Sequence, residues 1–262
     1  MRIARFIWHN GIRYGAVEGE RVHALAGNPF GPDGAAGLRV GAPVAPLAAV
    51  RLLAPCAPAK VFLVGRNYAK HVQELAHEMP SEPLISSKPI TTVIGPEAAI
   101  VHPGALSRDV HYEGELALVI GRTCHRVDEA DALDYVLGYT CANDVTARDL
   151  QNRDGQWVRA KGFDTFCPLG PWIETALHSE DVQVITRLNG AVKQDARTSA
   201  MIFPLARLVS AVSRFTTLVP GDILLTGTPE GVGPMVPGDV VEVEIEGIGV
   251  LRNHLVAEDG ED

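Results

Sequence analysis

Apolar and polar residues alternate in short runs along most of the chain, as they do in β-strands that are buried on one face. The runs within residues 2–26 are interrupted at Asn10-Gly11 and at Glu18-Gly19-Glu20, which predicts a small antiparallel meander. A later pair of runs is separated by Asn189-Gly190, a dipeptide typical of a tight hairpin. The pattern therefore favours a structure rich in antiparallel strands.

A stretch of glycine, proline and alanine at residues 27–46 separates the first strands from the rest, and it is typical of a loop or linker. Further strand-like runs begin after a proline-rich turn near residues 52–60. We therefore predict a small β-rich N-terminal domain at residues 1–55 and a catalytic domain at residues 56–262.

Helical periodicity interrupts the strands in three segments. Apolar residues recur at helical spacing in residues 69–79, ahead of Pro80, and helical patterns return in residues 128–140, where the helix runs into a strand, and in residues 201–215. Helices placed irregularly between strands predict an α+β fold of mixed sheets with outer helices. Because the segment after Pro80 is polar and interrupted by proline, we expect residues 69–88 to be mobile until a ligand binds.

Composition excludes several classes of protein. Of the 262 residues, 46% are hydrophobic and 21% are charged, so the chain is expected to fold. A net charge of −9, without a run of lysine or arginine, argues against nucleic acid as a partner. The start lacks a secretory signal and no apolar run reaches about 18 residues, which predicts a cytoplasmic protein that does not enter membranes. The four cysteines form no C-x-x-C pair and are interpreted as small buried residues.

The strongest chemical signal is Glu113-Gly114-Glu115, near the start of an apolar strand. Residues two apart on a strand point to the same face, so the carboxylates project together, and Gly114 lets another group approach. A third carboxylate, Asp144, follows a later strand. Such oxygen ligands suit Mg²⁺ or Mn²⁺, and Ca²⁺ less well, with positions left for a small chelating acid. From spacing alone, both glutamates could equally lie on the solvated face of an edge strand.

A candidate acid–base pair lies on the first predicted helix. His71 and Glu74 are three residues apart and share a helix face, so Glu74 can hold one imidazole nitrogen while the other acts as a base. Lys161 lies in an apolar, glycine-flanked segment and could supply positive charge to a developing enolate. From local sequence alone, His71, Glu74 and Lys161 could instead be ordinary solvent-exposed side chains. His77 and Glu78 are interpreted as solvent-exposed.

Six ordered segments between Lys60 and His254 together resemble the fumarylacetoacetate hydrolase family. They are GRNYAKH, YEGELALVIG, GYTCANDVTARDLQ, KGFDTFCPLGPW, LNG and LLTGTPEGVG. The resemblance implies that family's mixed β-sheet roll with outer helices and a homodimer. It also implies a place among the small bacterial members, which include isomerases, acylpyruvate hydrolases and oxaloacetate decarboxylases.

The resemblance also assigns metal ligands, catalytic residues and contacts with the substrate carboxylate. The metal ligands are Glu113, Glu115 and Asp144, the catalytic residues are His71, Glu74 and Lys161, and the substrate contacts are Arg66, Gln151 and Thr228. The hydrolase that names the family has a further metal-binding aspartate shortly before its catalytic histidine, where this chain has Gly65-Arg66-Asn67-Tyr68. We therefore expect water or substrate in that coordination position.

These assignments predict a small 2-oxo or 1,3-diketo acid that binds the metal through its 1-carboxylate and 2-oxo oxygens and reacts through a metal-bound enolate. Water activated by His71 and Glu74 would give C–C bond hydrolysis, loss of CO₂ would make the protein an oxaloacetate decarboxylase, and proton transfer alone would isomerise 2-hydroxy-diene dioates. The sequence leaves these three open. A non-catalytic metal-binding β-protein would explain the carboxylates but would leave His71, Glu74 and Lys161 without a role.

Overall fold

The structure, a computed structural model, describes residues 1–9 and 11–258, so Asn10 of the first predicted turn lies outside the described residues. The strands are β1 Arg2–Trp8, β2 Gly11–Glu18, β3 Arg21–Ala26, β4 Arg39–Pro46, β5 Arg51–Leu52, β6 Val61–Gly65, β7 Leu84–Lys88, β8 Val93–Ile94, β9 Ala99–Val101, β10 Val110–Tyr112, β11 Gly114–Ile120, β12 Val136–Asn143, β13 Thr146–Ala147, β14 Cys167–Glu174, β15 Gln183–Leu188, β16 Ala191–Arg197, β17 Ile223–Leu225, β18 Gly233–Pro234, β19 Val240–Ile245 and β20 Gly249–Val256. The α-helices are α1 Ala69–Glu74, α2 Arg148–Asp154, α3 Val158–Lys161 and α4 Leu205–Ser213.

The strands form mixed sheets. The largest has the order β4-β3-β2-β1-β14-β12-β11-β17-β6-β7, with β5 paired to β1 and β8 paired to β14. A second sheet has the order β16-β15-β19-β20-β9, and a third has the order β13-β10-β18. Most neighbouring strands are antiparallel, whereas β6 and β17, β8 and β14, and β9 and β20 are parallel. These mixed sheets with a few short helices confirm the predicted α+β fold.

The predicted N-terminal meander is present as β1, β2 and β3, and it is joined to the rest of the chain by strand pairing. Arg2 lies opposite Glu174 and Ile3 lies opposite Ile173, so β1 continues the large sheet from β14. The proposed division into domains at residue 55 stays a prediction, as does the homodimer.

Strand β11 is buried on both faces, because all seven of its residues lie inside the protein. Leu116 and Leu118 pack into one core with apolar side chains of β15, β19, β20 and α4. Ala117 and Val119 pack into a second core with side chains of β1, β6, β14 and β17. Burying a large apolar side chain contributes about 1.5–3 kcal/mol. Glu115 belongs to the same row as Ala117 and Val119, so the sheets that form the cores also bury this carboxylate.

Two predictions for later segments are also confirmed. The hairpin at Asn189-Gly190 joins β15 to β16, with both turn residues at positive φ of 51° and 78°. The helical pattern in residues 201–215 forms α4, whose Leu208 and Val212 are buried in the first core.

Two elements differ from the sequence predictions because strand pairing outweighs local composition. Residues 27–46 are not all linker, since Arg39–Pro46 pairs with β3 as an edge strand, a position that tolerates proline. The helix predicted at the start of residues 128–140 is wrong, whereas the strand predicted to follow it is confirmed as β12. Only Ala132–Tyr135 forms a 3₁₀ turn, and β12 follows at once because β11 and β14 hydrogen-bond to its two edges.

The segment around Pro80 contains a shorter helix than the sequence pattern predicts, followed by a strand. Helix α1 ends at Glu74, and Ala76 takes a left-handed φ of 53° before the chain turns. Leu84–Lys88 then pairs with β6 as β7, and Lys88 is buried. Strand pairing therefore anchors the last five of residues 69–88, and the expected mobility of this segment without ligand stays a prediction.

The four cysteines are buried and free of disulfides, as predicted. Burial raises the pKa of Cys56 and of Cys167 to about 12, which keeps both thiols protonated. Among the described residues, no helix combines the length and apolar character needed to cross a lipid bilayer.

Gly114 provides a test of how closely the sheets approach. A Cβ at this position would lie 2.0 Å from Thr186 Oγ1, a buried atom on β15. We expect Gly114→Ala to lower the free energy of unfolding by about 1–3 kcal/mol, measured by urea denaturation, because a packed neighbour must move. Gly41→Ala is the matched control, since its Cβ would meet Ala24 Cβ at an ordinary 3.4 Å. Equal unfolding midpoints for the two variants would contradict the prediction.

Candidate active site

Glu113 is the single residue between β10 and β11, and Glu115 is the second residue of β11. The Glu113 N–H donates to Asn143 Oδ1 at 2.9 Å, and the Asp144 N–H donates to the Glu113 carbonyl at 2.8 Å. Glu113, Glu115 and Asp144, the carboxylate triad, are buried, with one oxygen of each within 4.8 Å of the others. The predicted shared orientation is confirmed, and the alternative of a solvated edge strand is wrong.

Two cations offset part of this charge. Lys161 Nζ donates to Glu113 Oε2 at 2.9 Å, to Asp144 Oδ2 at 2.6 Å and to Thr146 Oγ1 at 2.8 Å. Arg148 Nη2 donates to Glu113 Oε1. Burial opposes ionisation of Glu113, but Lys161 and Arg148 outweigh it and hold its pKa well below the ordinary value. Burial would lower the pKa of Lys161, yet Asp144 and Glu113 raise it above the ordinary value.

Glu115 has different electrostatic surroundings. Its Oε2 accepts a hydrogen bond from the Gly227 N–H at 2.7 Å, and no lysine or arginine in the described ranges forms an ion pair with it. Burial, followed by the charges of Asp144 and Glu113, raises the pKa of Glu115 well above the ordinary value. A cation placed among the three carboxylates would reverse that shift.

Lys88, the last residue of β7, brings a third cation beside the triad. Its Nζ lies 2.7 Å from Asp144 Oδ1, but its hydrogen bonds go to the carbonyls of Val145, Lys161 and Phe166 at 3.1, 2.7 and 2.8 Å. An ammonium has three N–H donors, so these carbonyls use all of them. Asp144 Oδ1 is consequently buried without a hydrogen bond, although it lies beside a positive charge.

The triad fits a divalent cation. Its ligand atoms are all carboxylate oxygens, and Glu115 has no ion-pair partner among the described residues. Hard cations such as Mg²⁺ and Mn²⁺ prefer such oxygens, and Ca²⁺ binds the same donors at longer distances. Three protein ligands leave coordination positions for water or substrate.

The predicted dyad of His71 and Glu74 lies on α1. His71 is buried, and its Nδ1 is 3.2 Å from Glu74 Oε2. An ionised carboxylate only accepts hydrogen bonds, so Nδ1 is the donor in this contact, and in a neutral imidazole the lone pair would lie on Nε2. Glu74 Oε1 accepts a further hydrogen bond from the Gly231 N–H at 3.0 Å. The predicted pairing is confirmed, and its catalytic role stays a prediction.

One cavity of about 210 Å³, the site cavity, collects most of the residues singled out by the sequence. Glu74 lies behind the imidazole of His71 rather than on the wall. The predicted residues that line the cavity are Arg66, His71, Glu113, Glu115, Asp144, Gln151, Lys161 and Thr228.

The three predicted substrate contacts differ in how free their polar atoms are. Arg66 follows β6 with a left-handed φ of 59°, and its buried Nε has no hydrogen-bond partner in the described part of the chain. Gln151 Oε1 accepts a hydrogen bond from Arg148. Thr228 Oγ1 donates to a main-chain carbonyl at 3.0 Å and accepts from Gln194 at 2.8 Å. Arg66 is therefore the best placed of the three to bind an anion.

Several residues of the site were missed from the sequence. Arg148 lies inside one of the motif segments, which was the one signal available for it, and it is the first residue of α2. Trp157 forms a wall of the cavity and packs on Gly65, where a Cβ would lie 2.3 Å from the indole ring. His77 is exposed, as predicted, but it also lines the cavity. Lys88 gave no local signal, because it reaches the site only through the pairing of β7 with β6.

Comparison with known proteins agrees with this geometry. Residues 60–256 match the family model described as fumarylacetoacetate (FAA) hydrolase C-terminal, and residues 1–55 match the model described as Rv2993c-like, N-terminal. The chain therefore belongs to the fumarylacetoacetate hydrolase family.

Individual relatives with named activities are enzymes. The structure of 5-carboxymethyl-2-hydroxymuconate delta-isomerase from Mycobacterium smegmatis is 47% identical, with a TM-score of 0.90 over 98% of this chain and 100% of that chain. The mitochondrial oxaloacetate tautomerase Fahd2a of Rattus norvegicus is 44% identical over 82% of this chain and 72% of the rat protein. Fumarylpyruvate hydrolase from Pseudomonas aeruginosa, solved in complex with Mn²⁺ and pyruvate, is 32% identical, with a TM-score of 0.73 over 77% of this chain and 91% of that chain.

Glu115→Gln tests the triad as a metal site, because it removes one charge and keeps the side-chain shape. We expect the Mn²⁺ dissociation constant to rise by roughly 100-fold or more in calorimetric titrations of metal-free protein. Without metal the variant should unfold no earlier than the wild type, since a neutral amide relieves repulsion. Glu97→Gln, an exposed change outside the cavity, should bind Mn²⁺ normally. Unchanged affinity in Glu115→Gln would show that the triad holds no metal.

Proposed function

We propose that this chain is a divalent-metal-dependent enzyme that acts on the enol, or the adjacent C–C bond, of a small 2-oxo acid. The observation that supports it is the site cavity, where three carboxylates suited to a divalent cation lie beside an imidazole whose Nδ1 is paired with Glu74. A divalent cation bound by the triad would polarise the 2-oxo group as a Lewis acid. Proton transfer, as isomerisation or tautomerisation, is the leading reaction, because an isomerase and a tautomerase are among the relatives.

The side chains of the cavity divide the remaining work. Arg66, whose Nε lacks a partner among the described residues, would bind the substrate carboxylate. His71 Nε2 would take a proton from one position of the substrate and return it to another, while Glu74 stabilises the imidazolium formed in between. Lys161 would act through its charge near the developing enolate, because its N–H groups already bond to neighbouring side chains.

Cavity size supports a small substrate. A volume of about 210 Å³ is below the roughly 300 Å³ at which sites for drug-sized ligands begin. Trp157 adds an apolar ring to a lining that is otherwise rich in charged side chains.

C–C bond hydrolysis is the second candidate reaction. Fumarylpyruvate hydrolase, a relative of this chain, performs a reaction that its name describes as hydrolysis. The same His71 Nε2 would then activate water rather than shuttle a proton, which changes the product without changing the residues involved.

A panel of substrates separates these reactions from one another and from a non-catalytic metal protein. Purified protein, treated with chelator, is assayed by ultraviolet absorbance with oxaloacetate, acylpyruvates and 2-hydroxy-diene dioates, with and without Mg²⁺ or Mn²⁺. We expect the enol absorbance of a substrate to fall only when metal is added. In Glu115→Gln it should not fall. Release of CO₂ from oxaloacetate would instead identify a decarboxylase, and no turnover of any compound would favour a metal-binding β-protein without catalysis.

His71→Gln separates chemistry from binding. If the imidazole moves a proton only in the transition state, kcat should fall by about 10²-fold or more while KM changes little. His178→Gln, at an exposed position away from the cavity, serves as the control. A normal kcat with a raised KM would make His71 a substrate contact instead.

A further inference from the structure

Glu74 makes a second hydrogen bond that the proposed chemistry does not use. While Oε2 pairs with His71, Oε1 accepts from the Gly231 N–H at 3.0 Å. The carbonyl of Gly231 in turn accepts from the Tyr112 hydroxyl at 2.9 Å. Tyr112, Gly231, Glu74 and His71 thus form one continuous chain of hydrogen bonds across three separate parts of the sequence.

From this chain of contacts we propose that Tyr112 and Gly231 are positioning residues that hold Glu74, and through it the His71 imidazole, in the orientation needed for proton transfer. The inference rests on the proposed function. Neither residue touches the reacting atoms in this role, and neither lines the site cavity.

Glu74 needs such support because its own helix gives it little. It is the last residue of a six-residue helix, and a third of its side chain, 33%, is exposed. A glutamate in that position has several rotamers, and holding one of them costs side-chain entropy. His71 alone cannot restrain it, since a single hydrogen bond at 3.2 Å leaves the carboxylate free to rotate about that contact.

Gly231 is held firmly enough to provide the restraint. It has a φ of +95°, and a Cβ there would lie 2.1 Å from the carbonyl oxygen of Lys193. Any larger residue would clash there, so only glycine lets the main chain at residue 231 lie this close to the strand that carries Lys193. Tyr112 is buried on β10, where it pairs with Gly233 of β18, so its hydroxyl reaches Gly231 from a fixed sheet.

The expected effect is on chemistry and not on binding. The triad is held by Lys161, Arg148 and Lys88, and the hydrogen bonds of Gly231 in the described part of the chain go to Glu74 and Tyr112 instead, so metal affinity should not depend on them. Loss of the restraint would let Glu74 turn away, and the imidazole would then lose the partner that keeps the proton on Nδ1.

Tyr112→Phe is the central variant, since it keeps the buried ring and removes only the hydroxyl. We expect kcat to fall by about 5- to 30-fold, with KM and the calorimetric Mn²⁺ affinity unchanged. Tyr139→Phe controls for loss of a buried tyrosine hydroxyl elsewhere, because Tyr139 lies on β12 outside the cavity. A weaker Mn²⁺ affinity, or a raised KM at normal kcat, in Tyr112→Phe would overturn the proposal.

A double-mutant cycle tests whether Tyr112 acts through Glu74. In a Glu74→Gln background, Tyr112→Phe should lower kcat no further, because the group it positions is already lost. An equal loss in both backgrounds would overturn the proposal. Gly231→Ala should reduce kcat more than Tyr112→Phe, and Tyr112→Phe still decides the question if that alanine variant does not fold.

Histidine ¹⁵N spectra keep this test independent of the proposed function. With the His71 signals assigned from His71→Gln, the wild type should show the tautomer protonated on Nδ1, and Tyr112→Phe should show a mixture with the other tautomer. Identical tautomer signals in both proteins would overturn the positioning role. Absence of turnover in the substrate panel would count against the proposed function alone, since the spectra need no substrate.

Discussion

Three carboxylates buried within 4.8 Å of one another repel, and offsetting that repulsion is the constraint on which the rest of the site depends. Taking an ion out of water costs several kcal/mol, so a buried triad is stable only with nearby positive charge. Helices α3 and α2 and strand β7 each bring one cation, respectively Lys161, Arg148 and Lys88. Glu115 has no such partner among the described residues, and a divalent cation would complete the balance.

This charge balance also decides which parts of the site are fixed. Glu115 stands on a strand with a core on each face, and buried lysines hold Glu113 and Asp144, so the triad's oxygens have little freedom. The dyad lies on a short helix at the edge of the cavity, and its carboxylate is partly exposed. Fixing the dyad therefore needs contacts from outside its helix, and the Gly231 N–H supplies one. Metal binding and proton transfer consequently rest on different sets of interactions.

Two local pairs of the site could be predicted from spacing alone. Glu113 and Glu115 project together because strand residues two apart share a face, and His71 and Glu74 bond because helix residues three apart share a face. Each geometry is set within a few residues. Where a distant partner competes with local preference, prediction failed, as at residues 128–135, where only a 3₁₀ turn precedes the strand β12 that pairs with β11 and β14.

The sequence by itself determined the α+β class, which three carboxylates lie together, and the pairing of His71 with Glu74. Strand periodicity, helix periodicity and a few motif segments encode these features locally. Only the tertiary structure decided that the triad is buried, that Lys88 lies beside Asp144, and that an amide 157 residues away bonds to Glu74. The reason is physical: burial and charge pairing depend on which distant strands and loops pack together. Local periodicity specifies the face that a side chain occupies, but not the element that covers that face.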